Sequence, residues 1–298
     1  MIRVRPYIPL LGFVVPTVVV GYGFVIPRSC IAGVNELTIG FGTTILGAIL
    51  TYVAGQRAVT PKGVCTKPPL GVRIARAINR QAAAPNGLFG RFLGFVWRRE
   101  HARLNAEVLE QLDIHAGHGV LEIGSGPGHA LSEAARRAAG GRVVGIDISE
   151  LMVGLAREQN AAAVARGNVE VRVGDIGSLA FDDASFDRVF SVHSIYFWRD
   201  VDAVLGKLAA ALRPDGRLVL AFRPDGDDIP ARFRDPTYRF PRVDELTAAL
   251  DRVGFDVVRA APSAVVSTVV LVTAARRPTA IDTDGFRCHP PETDEPGP

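Results

Sequence analysis

The chain has 298 residues with 34 Lys and Arg against 31 Asp and Glu, a net charge of only +3. A balance so near neutral gives no electrostatic case for a nucleic-acid partner, and none is expected. Hydrophobic residues make up 48%, enough to build one full α/β domain with additional segments. The three cysteines, Cys30, Cys65 and Cys288, are too scattered to suggest a metal site or a disulfide framework.

Apolar residues concentrate at the start. Residues 6–27 are uncharged up to Pro27, with Arg3 and Arg5 just ahead of them, and residues 37–56 form a second apolar stretch without charge beyond Glu36. Each is close to the roughly 20 apolar residues a helix needs to cross a bilayer. Pro9 and Pro16 interrupt the first, and Gly40, Gly42 and Gly47 give the second a small-residue face suited to helix contact. A two-span membrane anchor over residues 1–56 is therefore expected. A re-entrant hairpin, a cleaved signal peptide and buried soluble helices are the competing readings. Beyond it come Arg57, Lys62, Lys67, Arg73, Arg76, Arg80, Arg91, Arg98 and Arg99 before the first acid, Glu100. The positive-inside rule then puts both termini and the following domain in the cytoplasm, with membrane lipids as partners of the basic segment.

Residues 57–104 read as a basic linker and an amphipathic helix. Apolar positions from Phe89 through Phe92, Trp97, Leu104 and Val108 to Leu112 predict one continuous helix over 88–112, covering the domain or lying on a membrane surface. From residue 105 to 277, short β-rich runs alternate with helical ones. Strands are expected at 119–123, 142–147, 169–173, 186–192, 216–222, 255–259 and 265–273, with helices at 130–138, 150–165, 201–212 and 243–253. That alternation predicts an α/β fold: a doubly wound, Rossmann-like domain with seven strands, mostly parallel. Residues 278–298 are Pro-, Asp- and Thr-rich and read as a disordered tail.

The first strand runs into Glu122-Ile-Gly124-Ser125-Gly126-Pro-Gly128, a glycine turn before a helix. Such a turn lets a ligand approach the backbone closely. The dehydrogenase spacing G-x-G-x-x-G would need a small residue at 129, where the chain has His129. Glu122 suits the ammonium of an amino-acid moiety. Asp147, ending the next strand, is placed to accept bonds from ribose hydroxyls, with Ile148 beside it and Met152 on the following helix as further candidate contacts.

The run E-x-G-x-G-x-G resembles motif I of the class I S-adenosylmethionine (SAM)-dependent methyltransferases. Four further matches occur in order: Gly145-Ile-Asp147, Gly174-Asp175-Ile176, the 186–198 strand and loop, and Leu212-Arg-Pro-Asp215-Gly216. The resemblance implies SAM as cofactor, with Asp175 at the adenine amino group and Ile176 against the ring. Asp215 departs from the family's L-x-P-G-G turn. His193 and Tyr196 come after the fourth strand and are the candidate catalytic residues, His193 as a base for a hydroxyl or enol. A histidine that merely packs or walls the pocket is the alternative. The aromatic, Pro-rich stretch 223–243, with Phe233, Tyr238 and Phe240, is expected to form a substrate-covering lid.

Together these readings describe a membrane-anchored SAM-dependent methyltransferase. Its acceptor would be small and lipophilic: a lipid, quinone, isoprenoid or polyketide-like molecule. A non-catalytic SAM-binding membrane scaffold and a nucleotide-dependent oxidoreductase remain as alternatives. No metal is expected, and the sequence carries no indication of oligomeric state.

Overall fold

The computed structural model describes residues 70–230 and 233–278. Two compact units divide at Ala75 and Arg76. Of the first, only the residues from Leu70 on are described, as the start of helix α1 (Leu70–Ala83). The membrane spans expected over 1–56 lie outside the described residues, as does the expected tail apart from Pro278. Among the described residues no helix is long and apolar enough to cross a membrane.

The second unit continues with α2 (Gly87–Glu100), α3 (Ala102–Leu112), β1 (Val120–Ile123), α4 (His129–Arg137), β2 (Val143–Asp147), α5 (Glu150–Gln159), α6 (Ala161–Ala165), β3 (Val169–Val173) and β4 (Phe186–Val192). A 3-10 turn at Ile195–Phe197 leads to α7 (Val201–Ala211), β5 (Leu212–Phe222), α8 (Val243–Arg252), β6 (Phe255–Pro262) and β7 (Val270–Arg276). The strands form one sheet in the order β3-β2-β1-β4-β5-β7-β6. The first five are parallel, and β7 runs antiparallel to both its neighbours.

Period-two alternation assigns the strand residues to two apolar layers. Leu121 and Ile123 of β1, Val189 of β4, and Leu218, Leu220 and Phe222 of β5 pack on one face with α7 and α8. Val120, Phe190, Val219 and Ala221 point to the other face, where Leu104, Val108 and Leu112 of α3 meet Leu131 of α4 and Val153 of α5. Both faces of β1 are therefore buried, and Glu122 is carried inside on the second of them.

Four local expectations are corrected. The helix expected over 88–112 is two helices that meet at His101, which caps one and starts the other. The region read as a basic linker contains α1, because its arginines lie among good helix formers and cost a helix little. Asn160 divides the helix expected over 150–165: its amide donates to the carbonyls of Gly128 and Ala156 at 2.9 and 2.8 Å. Strand β5 also begins four residues early, at Leu212, with an irregular register against β4 between Phe186 and Arg188. Asp215 sits there with φ +61°, a left-handed turn that Asp adopts at a cost glycine would avoid.

Candidate functional site

β1 lies between β2 and β4, so the connection leaving its carboxyl end departs where the strand order reverses, the place ligands occupy in open α/β sheets. A cavity of ≈ 520 Å³ opens there. It is lined from the ends of β1, β2, β3, β4 and β5, from the α2–α3 junction, and from the aromatic segment before α8.

Its polar side begins at β1. Glu122 is 4% exposed, and among the described residues its Oε2 atom has no hydrogen-bond partner. Burial, then the nearby Asp147 charge, push its carboxyl well above the usual carboxylate range. The Ser125 hydroxyl on the same wall is likewise buried without a partner. A buried orphaned acceptor is costly unless something in the cavity meets it, and an ammonium would meet Glu122.

The glycine loop is held by Asp147. Its Oδ2 accepts the Gly126 N–H at 2.8 Å and its Oδ1 accepts the Ser149 N–H at 2.9 Å. Burial raises the Asp147 pKa, and these two amide bonds oppose the shift. Gly126 has φ +50°, and a Cβ there would meet nothing within 4 Å, so its backbone faces open space. Gly128 is different. It does not line the cavity, and a Cβ on it would lie 2.7 Å from the Ala156 Cβ and 2.8 Å from the Asn160 amide nitrogen. That glycine lets the loop pack against α5, a structural role the glycine spacing did not separate from ligand contact.

The other candidates fall around the same cavity. Glu122, Gly124, Ser125, Gly126, Asp147, Ile148, Met152, Asp175 and Ile176 all line it, as do His193 and Tyr196. Ile148 is a half-exposed rim residue, whereas Met152 is buried in the wall. Asp175 also ends β3 as a turn former, its Oδ1 accepting the Gly177 N–H at 2.9 Å.

At the far side of β4 the chain turns through His193, a non-glycine residue at φ +56°. Its Nδ1 lies 2.9 Å from the Tyr196 hydroxyl, and that hydroxyl also accepts the Arg223 N–H at 2.6 Å. Burial, then the neighbouring His101 and Arg223, hold the His193 pKa down at about 3. Burial moves the Tyr196 hydroxyl upward. The segment expected to cover the site does contribute Phe233, Tyr238 and Phe240 to its wall, tied in by the Arg239 N–H to the Tyr196 carbonyl at 3.0 Å.

Sequence reasoning missed His101, Asn105, Ser194 and Arg223, which also line the cavity. His101 faces His193 with ring centroids 5.0 Å apart. Ser194 lies within the 186–198 match without having been singled out; the other three sit in no motif, and folding brings them to the glycine loop.

Known proteins agree with this geometry. Residues 121–220 match the family model described as "Methyltransferase domain". Nocamycin O-methyltransferase of Saccharothrix syringae is 43% identical over 114 residues, 38% of this chain and 40% of that protein. O-methyltransferase rstn1 of Aspergillus nomiae is 31% identical over 163 residues, 52% of this chain and 72% of that protein. The chain thus spans only about two-fifths of the bacterial relative but most of the fungal one. The crystal structure of a SAM-dependent methyltransferase from Aquifex aeolicus superposes with a TM-score of 0.51 at 21% identity, covering 67% of this chain and 97% of that one. That likeness speaks for the fold. With a seven-stranded sheet of this order, the motif-bearing cavity and these relatives, the chain belongs to the class I SAM-dependent methyltransferase family.

Proposed function

We propose that this protein transfers a methyl group from SAM to a small acceptor, with oxygen as the receiving atom and a lipophilic body, and that it works at a membrane. The observation that carries the SAM assignment is the orphaned carboxylate of Glu122 in the cavity wall. It would hold the amino-acid ammonium, with Ser125 beside it. Asp147 would take the ribose hydroxyls through the acceptor capacity left after its two amide bonds. Asp175 and Ile176 would flank the adenine, with Met152 and Ile148 along its edge. When bound, SAM supplies a methyl carbon on a sulfonium, a leaving group that needs no covalent help. The chain's own work is alignment and exclusion of water. Trp97, Tyr196, Phe197, Tyr238 and Phe240 supply the apolar enclosure for that.

The names of the two O-methyltransferase relatives favour oxygen. The membrane reading rests on the uncharged stretches within 1–56 and the basic residues after them. It is supported by α2, where Leu88 is 87%, Phe89 41% and Phe95 49% exposed. Arg98 and Arg99 lie over the Phe95 ring at 5.5 and 4.9 Å. Exposed apolar side chains bordered by arginines suit the interface of an anionic lipid surface.

The test is methyl-labelled SAM with a panel of phenols, quinols and polyprenyl alcohols. Label is expected in an extractable ether, with one S-adenosylhomocysteine formed for each methyl moved. Tight SAM binding with no label transfer to any acceptor class would instead favour the scaffold reading. Full-length protein in native membranes is expected to resist alkaline carbonate extraction, and quantitative release would rule out the anchor.

A further inference from the structure

We propose that the acceptor end of the cavity binds a planar phenol or enol in its ionised form, with Arg223 as the cation that meets the oxyanion. Only the methyl transfer after binding rests on the methyltransferase reading; the binding itself does not.

Strand order separates charge in this cavity. The carboxylates Glu122, Asp147 and Asp175 stand at the ends of β1, β2 and β3. Arg223 stands at the end of β5, two strands away from β1 on the opposite side. At roughly 4.8 Å per strand, about 10 Å separates the β1 and β5 positions. A cationic methyl donor and an anionic acceptor would each find opposite charge on its own side. Arg98 and Glu100, of opposite sign near the end of α2, are the further charged residues on the wall.

Arg223 has capacity to spare. Among the described residues no carboxylate lies within ion-pair distance of it, and its one side-chain bond is a long Nη1 contact to the Asp228 carbonyl at 3.5 Å. Asp225, Asp227 and Asp228 on the same loop are exposed. The cavity that Arg223 lines also has flat rings in its wall: Tyr196 and Phe240 are 4.9 Å apart by centroid, Phe197 and Tyr238 5.4 Å, and Tyr238 and Phe240 stack within 19°. Such walls select a planar body.

The hydrogen bonds limit what the neighbouring polar groups can do. The Tyr196 hydroxyl accepts from the Arg223 N–H, and the acceptor in reach of its own proton is His193 Nδ1. With the Tyr196 proton given to Nδ1, His193 carries its hydrogen on Nε2. The groups facing His193 are His101 from the α2–α3 junction, Tyr196 from its own loop, and Arg223 from β5. Among the described residues, none of the groups facing it is a carboxylate that would stabilise an imidazolium. His193 at about 3 is far too weak a base for a phenol or enol, and Tyr196 holds its proton more firmly than usual. On this proposal His193 acts as a neutral donor beside the oxyanion in place of the general base. The acceptor's proton goes to solvent on binding. The oxyanion's lone pair then forms the bond to the methyl carbon while sulfur keeps the pair of the breaking S–C bond. Charge balances without a protein base.

The probe is 4-nitrophenol, whose ionised form is yellow, titrated by absorbance across pH with the full-length protein saturated with S-adenosylhomocysteine. The bound probe's pKa is expected to fall by about one to three units, the range an adjacent opposite charge produces. Arg223→Met should abolish that shift and Arg223→Lys should keep part of it. Calorimetry should show S-adenosylhomocysteine affinity unchanged in both, which also establishes that each variant is folded. A probe bound as the neutral phenol, an unbound probe, or a shift that survives in Arg223→Met would overturn the proposal. An Arg223-dependent shift in a protein that fails to bind S-adenosylhomocysteine would leave this inference standing and remove the SAM reading.

Discussion

Glu122→Gln should move stability and ligand affinity in opposite directions. In the free protein the Glu122 carboxyl is buried with an unpartnered oxygen, and its folded pKa lies above its unfolded value. A raised folded pKa favours folding fully below the unfolded value near 4.5, and that advantage is lost as pH rises toward the folded pKa. At pH 7 the wild type therefore carries a penalty that a neutral amide does not. The amide still buries polar atoms, so the net gain should be modest, about 1–2 kcal/mol at pH 7 and closing below about pH 4.5. For a domain of this size that is a rise of roughly 2–8 °C in Tm. Binding should suffer instead. A hydrogen bond to a charged group contributes about 1.5–3 kcal/mol, so affinity for S-adenosylhomocysteine should drop roughly 10- to 150-fold. Calorimetry in buffers of different ionisation enthalpy adds a sharper signature. At any pH where its raised pKa keeps Glu122 protonated in the free protein, wild-type binding should release protons as the carboxyl ionises against the ammonium, a release the variant lacks. A variant that is less stable at pH 7 yet binds undiminished would refute this role for Glu122.

The same geometry sets three other expectations. Gly128→Ala combines a left-handed φ of +82° with a Cβ 2.7 Å from that of Ala156, and should cost about 2–4 kcal/mol in urea unfolding; an unchanged midpoint would deny the close packing of loop and α5. Asp215→Gly relieves an exposed left-handed residue at φ +61° and should stabilise by about 1 kcal/mol, and a loss of stability would show that the Asp side chain holds the turn. His193 has a folded pKa of about 3 against 6.5, so its depressed value gives stability that is present above pH 6.5 and lost as pH falls from there toward 3. Burial lowers His101 as well. Unfolding free energy measured between pH 7 and 4 should therefore fall with a slope that His193→Gln reduces by up to one proton, and an unaltered slope would mean His193 is solvated in the folded chain.

The sheet was legible where side-chain alternation was clean. Val169–Val173 was expected with its observed bounds, because its buried valines at 169 and 171 alternate with the more exposed Glu170 and Arg172. The helices were less legible wherever a tertiary contact ended them. Nothing in the apolar rhythm from Phe89 to Leu112 marks His101 as a break, and Asn160 interrupts a helix because it reaches across to Gly128. The glycine loop could be read because its function is carried by neighbours in sequence. Arg223 could not, since its significance comes from the end of β5 lying beside the loop after β4. The sequence brought His193 to the cavity, but its ionisation depends on surroundings that only the fold assembles: the Tyr196 hydroxyl on one nitrogen, His101 against the ring and, among the described residues, no carboxylate facing it.

The most direct test of a SAM site in this cavity is a competitive calorimetric titration of the full-length protein with S-adenosylhomocysteine and NAD. One saturable site for S-adenosylhomocysteine is expected, unaffected by excess NAD and weakened by Glu122→Gln. Binding selective for NAD, or S-adenosylhomocysteine binding indifferent to Glu122, would contradict it.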